Sequence, residues 1–165
     1  MIKFNSIPET AYGVIKQDCF ESEQDEVAEQ VRRLGFAILD SGYTPAQLQE
    51  ISNAFEITRA RYVNQWGDTR LRSLNEFYTI RALLTHGGAP FIELAMNPNL
   101  IAVLQKLIVG KFVLNQQNGI INPPGETYNQ GAWHRDLPYQ HYVSSSPLSV
   151  NALFCLDNFT IENGS

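Results

Sequence analysis

The order of apolar and polar positions predicts that the first half of the chain is helical. One helix is expected over residues 22–34, with Ser22 as its N-cap and Gly35 as its C-terminal stop. Another is expected to start at Thr44, because the proline and glutamine that follow complete the sequence of a capping box. The expected apolar stripes are Val27, Val31 and Leu34 on the first helix and Leu48, Ile51, Phe55 and Tyr62 on the second.

The stretch that follows is less regular. Residues 67–88 have no clear periodicity and receive no assignment, and the HGGAP sequence of residues 86–90 is typical of a loop. Asn97, which precedes a proline, is expected to open a third helix that ends at Gly110. This helix is expected to be well buried, since its sequence is apolar nearly all round. The short apolar run of residues 36–40 predicts a strand.

The second half has the composition and alternation that are typical of strands. Residues 111–121 have β-type residues at both ends, the Pro-Pro-Gly that follows forces a turn, and residues 131–137 are a plausible strand. The clearest strand is predicted over residues 149–157. Its two faces would carry Val150, Ala152, Phe154 and Leu156 on one side and Ser149, Asn151, Leu153 and Cys155 on the other. Helices followed by strands predict an α+β or mainly β fold in one domain, helical over residues 1–110 and with strands over residues 111–165.

Composition places the chain among globular proteins. It has 165 residues, of which 44% are hydrophobic and 18% are charged, so it can bury a core without disulfides. Its net charge of −5 counts against a nucleic-acid partner, which usually requires a basic patch. Two cysteines are too few for a secreted disulfide scaffold, and neither a membrane-spanning run nor a signal peptide is visible. These features predict a cytoplasmic protein without a membrane partner.

The candidate chemistry lies in the tripeptide His134-Arg135-Asp136. On a strand, residues two apart point to the same face about 7 Å from each other, so His134 and Asp136 can reach one metal ion. An imidazole and a carboxylate are two of the three ligands in the facial triad of non-haem Fe(II) oxygenases. The tripeptide alone is a weak signal, and a hydrogen-bonded His–Asp pair on a strand surface is the alternative.

The surroundings of this tripeptide resemble a known family. PPGE, WHRDLPYQHY and TIENGS follow one another in the second half of the chain, and RRLGFAILDSGYTPAQLQEISNAF lies in the first. Together they resemble the phytanoyl-CoA dioxygenase-like family of Fe(II)/2-oxoglutarate-dependent oxygenases, from about the first helix to the last residue. The resemblance implies a double-stranded β-helix, which is a cupin-like jelly roll, preceded by N-terminal helices.

The resemblance also implies a dioxygenase. His134 and Asp136 would be the catalytic residues that hold Fe(II), 2-oxoglutarate would be the co-substrate, and dioxygen would be the oxidant. An unactivated C–H bond of a small organic substrate would be hydroxylated. The presence of Asp136 favours hydroxylation over halogenation, because halogenating relatives lack this carboxylate.

Further residues are implied for the co-substrate. Asn118, five residues before the first proline of the Pro-Pro turn, would lie against 2-oxoglutarate, with Gln116 as the fallback and a merely polar edge strand as the alternative. Leu153 falls where similar proteins place a large residue against the co-substrate, with simple packing as the alternative. By analogy, residues 111–121 and 67–88 would shape the pocket. Candidates for its lining, with core or rim packing as the alternative for each, are Trp133, Tyr139 and Tyr142.

A facial triad needs a third ligand, which the family carries on a later strand. That histidine and the arginine that pairs with the far carboxylate of 2-oxoglutarate are expected after the last Asn-Gly, and the sequence stops at Ser165. Neither His86, in a His-Gly-Gly segment, nor His141, on the opposite strand parity from His134, is a good substitute. The sequence therefore predicts the N-terminal portion of an oxygenase, with an incomplete jelly roll and little or no activity by itself.

Two other interpretations stay open. A non-catalytic jelly-roll module for binding or assembly gains weight from the missing ligands. A zinc hydrolase is the weaker alternative, because zinc sites usually draw on more His or Cys ligands than this chain supplies.

Overall fold

Helices dominate the part of the chain that the structure describes, which in this computed structural model is residues 20–123, 125–126, 131–132, 134 and 146–163. The α-helices in these ranges are α1 (Glu23–Leu34), α2 (Pro45–Trp66), α3 (Asp68–Ser73), α4 (Leu83–Gly87), α5 (Ala89–Ala95) and α6 (Pro98–Leu107). Two short strands, β1 (Thr79–Ile80) and β2 (Gly119–Ile120), pair antiparallel. A 3-10 turn covers Ile161–Asn163.

The first two predicted helix starts are confirmed. α1 begins after Ser22, whose side chain accepts a hydrogen bond from the backbone N–H of Asp25 at 3.2 Å. α2 begins after Thr44 with a complete capping box. The Thr44 hydroxyl accepts from the Gln47 N–H at 3.3 Å, and the Thr44 N–H donates to the Gln47 side chain at 2.9 Å. Gly35 ends α1 in the left-handed conformation, with φ 83°, which glycine adopts without steric cost.

The larger core lies between α2 and the elements that follow it. Its members come from α2, α3, β1, α4 and α5, and all are at most 9% exposed: Ile51, Phe55, Tyr62, Leu71, Ile80, Leu83, Phe91 and Leu94. The apolar stripe predicted for α2 is confirmed at Ile51, Phe55 and Tyr62, and Leu48 is half-buried. Burying one side chain of this size contributes roughly 1.5–3 kcal/mol, so this cluster accounts for much of the driving force for folding.

A smaller core joins α1 to α6. Its buried members are Val27, Ala28, Val103 and Leu107. Lys106 forms an ion pair with Asp25 at 2.6 Å, and the Arg32 guanidinium donates to the Lys106 carbonyl. The α1 stripe prediction is right for Val27 but wrong for Leu34, which is 62% exposed. The burial expected all round α6 is also wrong, since α6 buries only the two residues that face α1.

Asn97 caps α6 and ties it to the segment before α2. It is 1% exposed, its Oδ1 accepts from the Leu100 N–H at 3.0 Å, and its Nδ2 donates to the Ser41 carbonyl at 2.8 Å. The predicted start of this helix is therefore confirmed. The predicted end at Gly110 is wrong, because the backbone of Ile108 is already extended.

The HGGAP sequence is helical rather than a loop. His86 and Gly87 end α4, and Ala89 and Pro90 start α5, so Gly88 alone separates the two helices. Gly88 has φ 74° and ψ −140°, a conformation that residues with a side chain rarely adopt. The glycines and proline that predicted a loop therefore mark a junction between helices.

The predicted strands are largely absent from the described residues. Residues 36–40 and 149–157 are not in strands, and residues 111–121 form a strand only at β2. Of the strand predicted over residues 131–137, the three described residues are not in a strand, and the others lie outside the described residues. A strand needs a neighbouring strand that pairs with its backbone N–H and C=O groups. Alternation in the sequence indicates which side chains share a face, but it does not show that such a neighbour is present.

The alternation predicted for residues 149–157 is nevertheless visible in their burial. Phe154 and Leu156 are half-buried against the larger core, and Val150 is half-buried against the smaller one. Ala152, the fourth residue of that face, is exposed. The opposite face is also exposed, and Leu153 on it is 85% exposed. The two faces are thus mostly assigned correctly although the segment forms no strand.

The observed architecture differs from the expected jelly roll. Within the described residues there is one two-stranded sheet among helices, so a jelly roll is not confirmed and "mainly β" is wrong for this part of the chain. None of the described helices is both long and apolar enough to span a bilayer.

Candidate active site

A cleft forms where the chain leaves β1 and where it enters β2. Because Ile80 pairs with Gly119, the next residue outward on each strand, Arg81 and Asn118, lies at the same end of the sheet. The cleft has a volume of about 400 Å³. Its walls are Arg81, Ala82, Leu84 and Thr85 on one side and residues 114–118 on the other. The two segments that the sequence was expected to place around a pocket therefore meet here.

Hydrogen bonds hold the two walls of the cleft together. The Leu83 N–H donates to the Gln117 carbonyl at 2.8 Å, and the Gln117 side chain donates to the Phe91 carbonyl at 3.0 Å. The Asn118 Oδ1 accepts from the Ala82 N–H at 3.3 Å. A backbone N–H can only donate, so Asn118 presents its oxygen to Ala82 and its NH₂ group is the part that can donate to a ligand.

Ala82 has an unusual backbone conformation at this junction. Its φ of 52° and ψ of 52° lie in the left-handed region, which alanine seldom occupies. Such strain costs on the order of 1–3 kcal/mol and is found preferentially at functional sites. The hydrogen bond that the Ala82 N–H donates to Asn118 helps to hold this turn, which directly follows Arg81.

Arg81 is the one charged residue among the described residues that line the cleft. Glu76 holds its guanidinium through two hydrogen bonds, from Nε at 3.0 Å and from Nη2 at 2.6 Å. The hydrogen bond to Glu76 raises the pKa of Arg81 above its usual range, and the nearby Tyr62 phenol acts in the same direction. Arg81 is therefore a permanent cation with a fixed orientation.

Two of the three predicted co-substrate residues lie in this cleft. Asn118 and Gln116 line it together with Arg81. Leu153 does not line it and is 85% exposed. The structure thus brings the two amides together and leaves Leu153 apart from them.

Arg81 is a residue of this cleft that the sequence analysis missed. It lies in the stretch that received no assignment, and the only local signal is an arginine after two β-type residues, which is too common to be informative. Its place beside Asn118 follows from the pairing of β1 with β2, which lie far apart in the sequence. Only that long-range contact distinguishes Arg81 from the other arginines.

His134 is exposed, and a nearby carbonyl orients its ring. Its Nδ1 lies 2.8 Å from the carbonyl oxygen of Ala132. A carbonyl oxygen can only accept, so Nδ1 bears a proton in this contact, and in the neutral ring Nε2 then carries the lone pair. Metal-binding histidines are commonly oriented by such a bond. His134 is not part of the lining of the cleft.

The second predicted iron ligand, Asp136, lies outside the described residues. So do the other candidates around the motif, Trp133, Tyr139, His141 and Tyr142. Within the described ranges, no group of three His, Cys, Asp or Glu side chains is arranged to hold a metal ion.

His86 has a packing role. The centroid of its ring lies 5.0 Å from that of the buried Tyr62, at an interplanar angle of 84°. This edge-to-face contact is typical of aromatic packing.

The turn that leads to His134 is tied to the sheet. The Ile121 N–H donates to the Tyr78 carbonyl at 2.9 Å, and the Tyr78 hydroxyl donates to the Glu126 carboxylate. The segment that carries the histidine therefore starts beside β1.

An imidazole and, two residues later in the sequence, a carboxylate are two of the three ligands in the facial triad of non-haem iron oxygenases. The family model for phytanoyl-CoA dioxygenase (PhyH) matches residues 31–165, so the chain belongs to the phytanoyl-CoA dioxygenase family. This is a family of Fe(II)/2-oxoglutarate-dependent dioxygenases that act on small molecules. No curated protein and no solved structure matches the chain.

Proposed function

We propose that this protein is an Fe(II)- and 2-oxoglutarate-dependent dioxygenase that hydroxylates an unactivated C–H bond of a small organic substrate. The observation that carries the proposal is the family match, which spans the whole of residues 31–165 and so includes the His134-x-Asp136 motif and the cleft. The presence of Asp136 favours hydroxylation over halogenation, since the carboxylate takes the position that a halide would need.

The donor set fits ferrous iron. The contact with the Ala132 carbonyl favours the His134 tautomer in which Nε2 can bind a metal. Asp136 would add a carboxylate, and the two would be two of the three donors of a facial triad. When bound together with 2-oxoglutarate, Fe(II) would supply the activation of dioxygen. The protein would supply the orientation of the His134 ring through the Ala132 carbonyl.

The cleft fits the co-substrate. Asn118 and Gln116 both offer amide N–H groups there, and a carboxylate accepts hydrogen bonds from such donors. The Asn118 amide is oriented because its oxygen is bonded to Ala82. Its NH₂ group is the natural donor to 2-oxoglutarate.

The test is iron-dependent turnover by the whole protein that the gene encodes. Consumption of dioxygen and conversion of 2-oxoglutarate to succinate are measured with Fe(II) for the unaltered protein and for His134→Ala and Asp136→Ala. Both substitutions are expected to stop turnover, because each removes a metal ligand. His86→Ala is the matched control and is expected to leave turnover intact, since His86 packs on Tyr62.

Two results would contradict the proposal. One is undiminished turnover by both ligand variants. The other is the absence of any iron-dependent consumption of 2-oxoglutarate by the unaltered protein, which would favour a non-catalytic binding module.

A further inference from the structure

Tyr78 bonds to both ends of the turn that follows β2. Its backbone carbonyl accepts from the Ile121 N–H at 2.9 Å at the start of the turn, and its hydroxyl donates to the Glu126 carboxylate at the end. Pro123, which lies between these two points, is buried. One residue next to β1 therefore holds the turn through which the chain continues towards His134.

The Tyr78 hydroxyl is itself oriented by a residue of α3. A hydrogen bond between Arg72 and Tyr78, followed by the bond to Asp68, raises the pKa of Arg72 above its usual range. A guanidinium can only donate, so the phenol oxygen accepts from Arg72 and keeps its proton for Glu126. Arg72 is held in turn by Asp68, at 2.9 Å from Nε, and by the Phe77 ring, whose centroid lies 3.7 Å from the guanidinium carbon. These contacts fix the direction in which Tyr78 donates.

The bond to Glu126 lies where it can affect the segment that follows. Among the described residues between Ile121 and His134, Glu126 is the one that makes a hydrogen bond to an earlier part of the chain. Its acceptor is a carboxylate, and a hydrogen bond to an ionised group is stronger than one between neutral groups. Further along, the Ala132 carbonyl orients the His134 ring. The chain is thus fixed before the segment that carries the imidazole, and the imidazole is fixed within it.

We propose that Tyr78 is a positioning residue for the segment that carries His134, and that it acts through Glu126. The inference rests on the proposed function, because it concerns how tightly the protein binds its metal ion. A ligand that is held in place before the metal arrives loses less conformational entropy on binding, so the fixed turn raises the affinity. Tyr78 itself is assigned no contact with the metal ion.

The experiment measures metal affinity rather than turnover. Isothermal titration calorimetry gives the affinity for Co(II), which imidazole and carboxylate ligands also bind, of the whole protein that the gene encodes. Tyr78→Phe removes the hydroxyl and keeps both the ring and the carbonyl that accepts from Ile121. Loss of one such hydrogen bond is expected to weaken Co(II) binding about two- to tenfold.

Tyr43→Phe is the matched control. It removes the same hydroxyl from a tyrosine that donates to the Glu93 carbonyl at 3.4 Å and does not bond to the turn. Its affinity for Co(II) is expected to equal that of wild type. Equal losses in the two tyrosine variants, or an unchanged affinity in Tyr78→Phe, would overturn the inference.

A double variant tests whether Tyr78 acts through Glu126. Glu126→Gln weakens the acceptor at an exposed position, so it is expected to lower the affinity by itself and to add no further loss in the Tyr78→Phe background. Additive losses would overturn the inference. If the contact were only structural, both single variants would lower the melting temperature and leave the affinity for Co(II) unchanged, which would overturn it as well.

The same titrations distinguish this inference from the proposed function. If wild type does not bind Co(II), the proposed function fails and the inference fails with it. If wild type binds Co(II) and His134→Ala weakens that binding, while Tyr78→Phe binds as tightly as wild type, the inference alone fails.

Discussion

The helical region, residues 20–107, and the later region, residues 108–163, are built in different ways. In the described residues, all the apolar side chains of the two buried cores lie between Val27 and Leu107. The later region has apolar side chains that are largely exposed, such as Val113 at 86% and Leu153 at 85%. A helix satisfies its backbone within its own segment, whereas an extended segment depends on a neighbour, so the two regions are stabilised by different means.

The later region contributes to the fold at separate points. β2 pairs with β1, Gln117 bonds to the Phe91 carbonyl, and Phe154 and Leu156 pack against the larger core. The cleft therefore lies between the two regions, with one wall from each. The helical region is therefore expected to determine stability, and the later region is expected to complete the site.

The largest effect is expected from Phe91→Ala in the centre of the larger core. Phe91 is 0% exposed, and truncation of a buried phenylalanine typically destabilises a protein by about 3–5 kcal/mol. Phe159→Ala, at a position that is 63% exposed in the later region, is the matched control, with an expected cost below about 1 kcal/mol. Denaturant unfolding measures the free energy of unfolding of both variants. Similar losses in the two variants would contradict the expectation that the helical region determines stability.

A smaller loss is expected from Gly119→Ala, which tests the contact between the two regions. A Cβ at Gly119 would lie 2.5 Å from the Phe55 ring and 3.3 Å from Ile80. This overpacking is expected to cost about 1–3 kcal/mol in the free energy of unfolding. Phe55→Leu in the same chain should recover part of that loss, and strictly additive effects of the two substitutions would show that the clash is not its cause.

Asn97→Ala is expected to cost about 1–2 kcal/mol, because it removes a helix cap and a buried hydrogen bond to Ser41. Asn97→Asp keeps the acceptor for the Leu100 N–H and loses the donor to Ser41, so it separates the two contributions. Thermal unfolding measures the variants. If Asn97→Ala matched wild type, local capping would not explain the stability of the helical region.

The smallest effect is expected from Asp25, and it depends on pH. The hydrogen bond from Lys106, followed by that from Ser22, lowers the pKa of Asp25 below its usual range. The contribution to stability is therefore present above the unfolded-state pKa of about 3.9 and is lost as the pH falls through the lower folded-state pKa. Asp25→Asn should be less stable than wild type at neutral pH, and this difference should shrink in acid.

The pH dependence of unfolding checks this expectation. Glu50→Gln, an exposed substitution on α2 that also neutralises a carboxylate, is the control and should show no such convergence. A gap between Asp25→Asn and wild type that stays constant from neutral to acid pH would contradict the assigned role of Asp25.

The sequence predicts the helical region better than it predicts the later region. Ser22, Thr44 and Asn97 act on backbone groups within a few residues, so their caps are visible in the sequence and are confirmed. The prediction of a strand over residues 149–157 is wrong, because the hydrogen-bond partners of a strand are not local in the sequence. Its two predicted faces, buried and exposed, are mostly right. Pairing of a strand cannot be deduced from alternation alone.

The candidate site shows the same limit. The His134-x-Asp136 motif lies in three consecutive residues, and the family that the surrounding sequence resembles is confirmed. The iron ligands remain predictions, as do Asn118 and Gln116 as co-substrate residues. Arg81 could not be predicted at all, because its neighbours in the cleft come from a segment that only the sheet brings close.

The hydrogen bond between Tyr78 and Glu126 has a geometric consequence for the motif. His134 is eight residues after Glu126, and a fully extended chain spans at most about 3.6 Å per residue. The His134 Cα atom therefore lies within about 29 Å of the Glu126 Cα atom, and the bond holds the Glu126 carboxylate at the hydroxyl of Tyr78, which directly precedes β1. While it is formed, this one phenol–carboxylate contact limits how far the His134-x-Asp136 motif can lie from the sheet.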